Sequence, residues 1–552
     1  MLNSEQNFRT SGEALTQIAQ YFDVVDNCIA LSDTNKQYTI NPQTSYSPSP
    51  PIQSGSFTSV IISPTSQNTA DLYNGFIKAE LEATIKIKND IAFSDTSIIT
   101  DTETKGTYFD KVWFGFKDAR DAVEKYEIVS NGISIYTQNF AIEESFLTSC
   151  CDNELIKRSD VYSKARHKDV WNGRNNNKCG VEVEWHELTV KADGTYTPTF
   201  ITEKKIKIPL KIDIKRFLPL SNIKYLPAFA GKLELRLYFS CAGMVCCPVG
   251  PDMNLRNNPN EFAKINFQKI TTEFVQIGEP ITCWTNKENS SDAETKGTII
   301  TIQSSERTFL VSDYKVTDCL SIIPCFGIEN NVYNMLVQRY SNPSNPLTFP
   351  TQTLACYTTT KSLKNDSDKT TITLTPRFVD SIFCLFPLKH THHTVFKNPL
   401  FKSFTLNCGA FGNIPAKPFG TDGLYPEFIE YAQNAMNMNS TQSGFNKEVV
   451  ASLTNNDKYF DNTGLYSNDR TNFFIGLATE TDNTFQQGLT SLSPINFEMN
   501  ITQNTGAGTF ADKVDTPPLL CVLFDSSISI LVQQNGQPPL VRLGSYDLTS
   551  RE

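Results

Sequence analysis

Between Phe76 and Lys88 the chain alternates with a period of two. Ile77, Ala79, Leu81, Ala83, Ile85 and Ile87 take every second place, and Lys78, Glu80, Glu82, Thr84, Lys86 and Lys88 fill those between. A helix would scatter these apolar residues around its axis, whereas a strand sends them all to one face. The run therefore predicts a strand with one face buried and the other wet. The pattern returns where Leu233, Leu235, Leu237 and Phe239 alternate with Glu234, Arg236 and Tyr238, and where Ile495, Phe497, Met499 and Ile501 alternate with Asn496, Glu498 and Asn500. Long stretches of helical spacing are nearly absent. The chain reads as mostly β.

Composition agrees: 37 Phe and 20 Tyr stand against 7 Met and 4 Trp, a bias toward strand-built cores. A chain of 552 residues is too long for one core and predicts two or three domains. The formal net charge of −10 argues against strong nucleic-acid binding, because phosphate affinity rests on Lys and Arg. No apolar run reaches the roughly 20 residues that cross a bilayer. The opening MLNSEQNFRTSGEALTQ lacks the basic and apolar regions of a secretory signal, which predicts a reducing compartment. In that setting the 14 cysteines read as small buried hydrophobes.

Residues 1–55 read as an N-terminal arm. Ala14, Leu15, Ile18, Tyr21 and Phe22 offer a short amphipathic helix, and a Pro- and Ser-rich linker follows. The arm holds Arg9 and Lys36 against five acidic residues, so it is expected to reach a neighbouring subunit or stay unstructured rather than grip nucleic acid. The first sandwich is expected over 56–285. It carries a hairpin at Asn131-Gly132, which supplies the positive φ angles of a tight turn, and a short helix over AIEESFLTSCC. INFQKITTEFVQIG is read as its closing strand. The polar run 285–298 marks the boundary. The second sandwich is expected over 286–545, with RTFLVSDY and CLSIIPCF among its strands, and a C-terminal tail over 546–552.

Residues 376–439 read as strand, loop, strand, tight turn and short helix. Phe404, Leu406 and Cys408 alternate with Thr405, Asn407 and Gly409, and Gly412, Asn413 and Pro415 turn the chain. Pro426 then opens a segment with Phe428, Tyr431, Ala432, Ala435 and Met436 on one helical face. Two halves of about eight short strands each, with long loops, are what two jelly rolls need.

The ordered series Asn398-Pro399-Leu400, strand, Gly412-Asn413-Ile414-Pro415 and helix resembles the second jelly roll of double jelly-roll major capsid proteins of the Polinton (Maverick), virophage and adintovirus kind. Asp71, Leu72, Trp113, Asn131 and Gly132 resemble the first jelly roll of the same family. The resemblance covers about residues 56–545 and implies two consecutive eight-stranded antiparallel jelly rolls. It implies a structural capsid protein, not an enzyme, that forms homotrimeric, pseudo-hexameric capsomers and an icosahedral shell around a DNA genome. The implied partners are other copies of itself, penton proteins and minor capsid proteins. The implied location is the virion, after synthesis in the host cytoplasm and assembly there or in the nucleus.

His390, His392 and His393 form the one cluster that could hold a metal, but no Cys, Asp or Glu follows at ligand spacing, and Pro387 and Pro399 frame it as a loop. An exposed loop or inter-subunit contact is the preferred reading. G-x-S-x-G, the phosphate-binding G-x-x-x-x-G-K-[ST] and H-E-x-x-H are all missing. No catalytic, cofactor-binding or metal residue is expected. The basic stretch KKIKIPLKIDIKR alternates Lys with apolar residues and reads as a strand with a solvated face. The competing readings are a two-jelly-roll enzyme or lectin acting on glycans, and a viral spike.

Overall fold

The computed structural model describes residues 20–26, 40–46, 52–53, 57–64, 68–88, 111–116, 119–140, 142–143, 180–184, 186–190, 196–200, 202–240, 244–248, 273–274, 280–284, 306–343, 345–358, 367–375, 378–385, 387–389, 392–396, 401–407, 413–419, 474–478, 489–491, 494–503, 517–533 and 538–544. The expected helix at 426–438 and the polar loops at 152–177 and 439–470 lie outside them, as does most of the expected closing strand INFQKITTEFVQIG.

The first half is built on β1 (Ile40–Tyr46), β2 (Phe57–Ile62), β3 (Asn68–Asp71), β4 (Phe76–Lys88), β5 (Val123–Ser130), β6 (Ile133–Asn139), β7 (Glu203–Asp213), β8 (Tyr225–Pro227), β9 (Leu233–Phe239) and β10 (Glu306–Gly327). One sheet runs β7-β4-β10-β3-β8, with β1 also on β10; another runs β2-β9-β5-β6. The alternation decides which side chains go inside. Ile77, Ala79, Leu81, Ala83 and Ile85 of β4 and Ile206, Ile208, Leu210 and Ile212 of β7 are buried, in one core with Val60, Ile62, Leu233, Leu235 and Leu237 from the other sheet. Burying such a side chain contributes about 1.5–3 kcal/mol, so a one-residue slip of register would expose the whole set. The Asn131-Gly132 turn has φ of 49° and 84°, the two positive angles the tight hairpin needs.

Two expectations are corrected here. RTFLVSDY and CLSIIPCF are not separate strands of the second half. They form the single 22-residue β10, which pairs antiparallel with β4 and with β1. Strand β4 has 13 residues and one edge left after β7, and only a long partner can satisfy its backbone. Two register shifts, at Val311/Asp313 and Thr317/Leu320, let β10 follow the twist of the sheet over that length. Of INFQKITTEFVQIG the structure describes Glu273–Phe274, a short strand paired with Val245 and Cys246. Nor do the described parts of the arm extend away from the chain. Residues 20–26 form helix α1, with Tyr21 and Val25 buried in the core, and β1 lies along β10.

After β10 comes helix α2 (Asn330–Tyr340). The second half then follows as β11 (Leu347–Thr358), β12 (Ser367–Leu374), β13 (Val379–Leu385), β14 (Phe401–Asn407), β15 (Asn413–Phe419), β16 (Phe474–Ala478), β17 (Ile495–Gln503) and β18 (Leu519–Leu531), with β19 (Leu540–Gly544) added on β18. The first of the eight pairs with the last, the second with the seventh, the third with the sixth and the fourth with the fifth. The resulting sheets run β11-β18-β13-β16 and β12-β17-β14-β15. That nesting is a long hairpin rolled into a sandwich, the jelly-roll order. The mostly β class with paired antiparallel sheets is what the structure contains.

Candidate functional site: the junction between the two halves

Of the three histidines singled out by sequence, the structure describes the backbone of two. His392 and His393 begin a short strand, His392–Phe396, that pairs with Pro387–Lys389, so a hairpin stands where a loop was expected. His390 lies outside the described residues. Among the described residues no group of three or more His, Cys, Asp or Glu is placed to hold a metal. The basic stretch lies on β7 with its isoleucines inside and Lys207 outside, where the Lys207 Nζ meets Glu80 at 2.7 Å and Glu82 at 2.9 Å. Lys315 of β10 reaches Glu82 at 2.7 Å. These cations are neutralised within their own sheet face.

What the fold does bring together is a buried polar seam. Glu143 follows the β5–β6 hairpin and is fully buried. Its carboxylate accepts from the Tyr126 hydroxyl at 2.7 Å, the Tyr136 hydroxyl at 2.5 Å and the Leu218 amide at 3.4 Å. Burial first, then the neighbouring Glu143 charge, pushes the Tyr126 and Tyr136 phenols well above the usual tyrosine value. Both phenols therefore stay protonated and donate. Phe140 stacks on Phe217 at 4.5 Å, with Tyr126 edge-on to Phe217 at 4.9 Å, which fixes the orientation of these rings.

From this cluster, bonds cross to the second half. The Leu354 amide donates to the Tyr136 hydroxyl at 3.3 Å, and Gln138 Nε2 donates to the Leu354 carbonyl at 2.6 Å. Thr351 Oγ1 donates to the Pro219 carbonyl at 2.8 Å. Asn131 Nδ2, at the hairpin tip, donates to the Pro539 carbonyl at 2.6 Å. Of these, the Thr351 bond is buried and the Asn131 bond is exposed; a buried hydrogen bond left unmade is expensive, so the Thr351 crossing resists opening.

Helix α1 fills the other end of the junction. The Tyr21 ring meets Tyr340 of α2 at 6.3 Å and Phe349 of β11 at 6.1 Å, both edge to face. Asp26 accepts from Lys224 Nζ at 2.9 Å and from the Tyr225 hydroxyl at 2.7 Å. Arg339 Nη2 donates to Gln20 Oε1 at 2.6 Å. Leu336 and Tyr340 are the buried residues of α2, with Val332, Tyr333 and Val337 packed beside them. The sequence reading missed α2, although Val332, Tyr333, Leu336, Val337 and Tyr340 lie at helical spacing. It missed the role of Glu143 for want of any local signal.

The arrangement is a double sandwich, jelly-rolled in its second half, with buried polar groups that join the two halves. Solved structures of similar outline are those of the Sputnik virophage (12% identity, TM-score 0.46, covering 94% of this chain and 91% of that one), the mavirus major capsid protein (10%, 0.42, 94% and 92%) and the Faustovirus major capsid protein (7%, 0.37, 92% and 91%). At these TM-scores the strand order rests on the pairing within the chain itself. No family model matches the sequence, and no curated protein matches it.

Proposed function

We propose that the chain is a viral major capsid protein, a structural shell component of the double jelly-roll kind. The observation that carries this reading is the nested strand order of the second sandwich together with a seam that locks it to the first. A shell tile needs a fixed angle between its two upright sandwiches, and a buried seam supplies one. Three such chains in closed three-fold symmetry would give six sandwiches in a ring, a pseudo-hexagonal capsomer that protects sheet edges. Capsomers tile an icosahedral shell around a DNA genome, with penton and minor capsid proteins as further partners, in the virion. Kinship with Polinton, virophage and adintovirus capsids rests on the ordered motifs from Asn398 to Pro415. Within the chain we place the division between the two units after Gly327, since β10 belongs to the first sheet. The proposed tile does not itself condense the genome, because its net charge is −10 and Lys207 and Lys315 are engaged by Glu80 and Glu82.

Light scattering on the purified chain tests this. A stable trimer, or shells seen by electron microscopy, is the expected result. A monomer that persists at high concentration would overturn the reading and favour a glycan-acting enzyme or lectin.

A further inference from the structure

Cys356 of β11 and Cys521 of β18 stand directly opposite each other in the antiparallel ladder, with their sulfurs 3.4 Å apart. Opposed residues in such a ladder have Cα atoms about 4.5–5.5 Å apart, inside the roughly 4.4–6.8 Å that a disulfide spans. Closing the sulfurs to about 2.05 Å takes a small side-chain rotation. Cys521 is buried, while Cys356 is partly exposed. Cys384, on the next strand β13, is in register with Leu520 rather than with Cys521, and is buried.

We propose that Cys356 and Cys521 form an oxidation site that closes into a cross-strand disulfide on contact with a small-molecule disulfide oxidant. The Cys356 thiol loses its proton to water, and the thiolate attacks one sulfur of the oxidant, breaking its S–S bond and releasing one thiolate. Cys521 then gives up its proton and attacks the Cys356 sulfur, expelling the second thiolate. The two protons end on the two released thiolates, and the two electrons from the cysteine pair reduce the oxidant to two thiols. Partial exposure makes Cys356 the sulfur that reacts first. The product ties β11, which ends the β11-β18-β13-β16 path, to β18 inside that path. A reducing compartment keeps the pair open; release from it closes the pair.

The test is to treat the full-length native chain with oxidised glutathione, block remaining thiols, digest and map by mass spectrometry. The expected result is a peptide containing Cys356 linked to one containing Cys521, lost in Cys356→Ser, kept in Cys384→Ser, and accompanied by a higher unfolding temperature that a reductant reverses. In Cys521→Ala, glutathione should remain trapped on Cys356. A native chain in which Cys356 carries glutathione without passing it on, or in which neither cysteine reacts, overturns the proposal.

Discussion

Asn131 Nδ2 donates to the carbonyl of Pro539 at 2.6 Å, a hydrogen bond across 408 positions of chain. The tip of the β5–β6 hairpin thereby touches the segment that leads into β19, and Gly231 lies against the same proline. A Cβ on Gly231 would stand 2.5 Å from Pro539 Cγ, and its φ of +76° already disfavours any side chain.

Gly231→Ala should therefore destabilise the chain by about 2 kcal/mol, since a side chain in that backbone region costs about 1–3 kcal/mol before the clash is counted. Urea titration followed by tryptophan fluorescence reads the shift. An unchanged midpoint would mean that the two halves are not held at this point.

Glu143→Ala leaves the Tyr126 and Tyr136 hydroxyls without their buried acceptor. The expected loss is about 3 kcal/mol, from a cost of about 1–3 kcal/mol for each unsatisfied group. Glu143→Gln keeps an acceptor oxygen and should lose less, and the ordering of the two variants by thermal unfolding checks the seam.

The same tyrosines set an alkaline limit. Their folded values lie above the usual 10.0 because burial opposes the phenolate. The unfolded chain releases these protons first, so the stabilisation is full below pH 10.0 and falls as pH rises through and beyond it. Unfolding midpoints measured from pH 8 to 11 (a range chosen to bracket the usual value, about 10) should drop at the alkaline end. The drop should be smaller in Tyr126→Phe.

Tyr21→Ala empties a buried site between Tyr340 and Phe349 and should cost about 3–5 kcal/mol, the range for deleting a buried aromatic ring. If residues 20–26 only rest on the surface, the variant would melt with the parent chain.

Leu81→Ala, on the inward face of β4, should cost about 2–5 kcal/mol. Lys207→Ala, on the outward face of the adjoining strand, should leave the melting curve where it was, because the Lys207 side chain stands in water at 63% exposure and a solvent-screened ion pair contributes little. The pair of variants tests the alternation on which the fold reading stands.

That alternation was legible because a period of two over many residues has few rival explanations. The Asn131-Gly132 turn was legible for a similar reason: two residues that tolerate positive φ sit side by side. Partnership was not legible. Nothing in Glu306–Gly327 says that it pairs with β4 rather than with the strands that follow it, since a hydrophobic run fits any sheet of matching length. Tyr21 and Val25 show an apolar face without showing what covers it. Glu143 carries no local sign that Tyr126, Tyr136 and Leu218 converge on it, because its partners come from separate turns of the chain. Cys356 and Cys521, 165 positions apart, become neighbours only through the rolled order of the second sandwich.

The placing of β10 has a consequence for synthesis. Its 22 residues fill the middle of the first sheet, yet they are translated long after β4 and β1, the strands they join. Until Gly327 has cleared the ribosome, that sheet has an open centre with unpaired backbone along the inner edge of β4. The strands that precede Glu306 therefore cannot complete their sheet as they emerge, and in that interval the nascent chain is open to strand exchange with a neighbour on the same message.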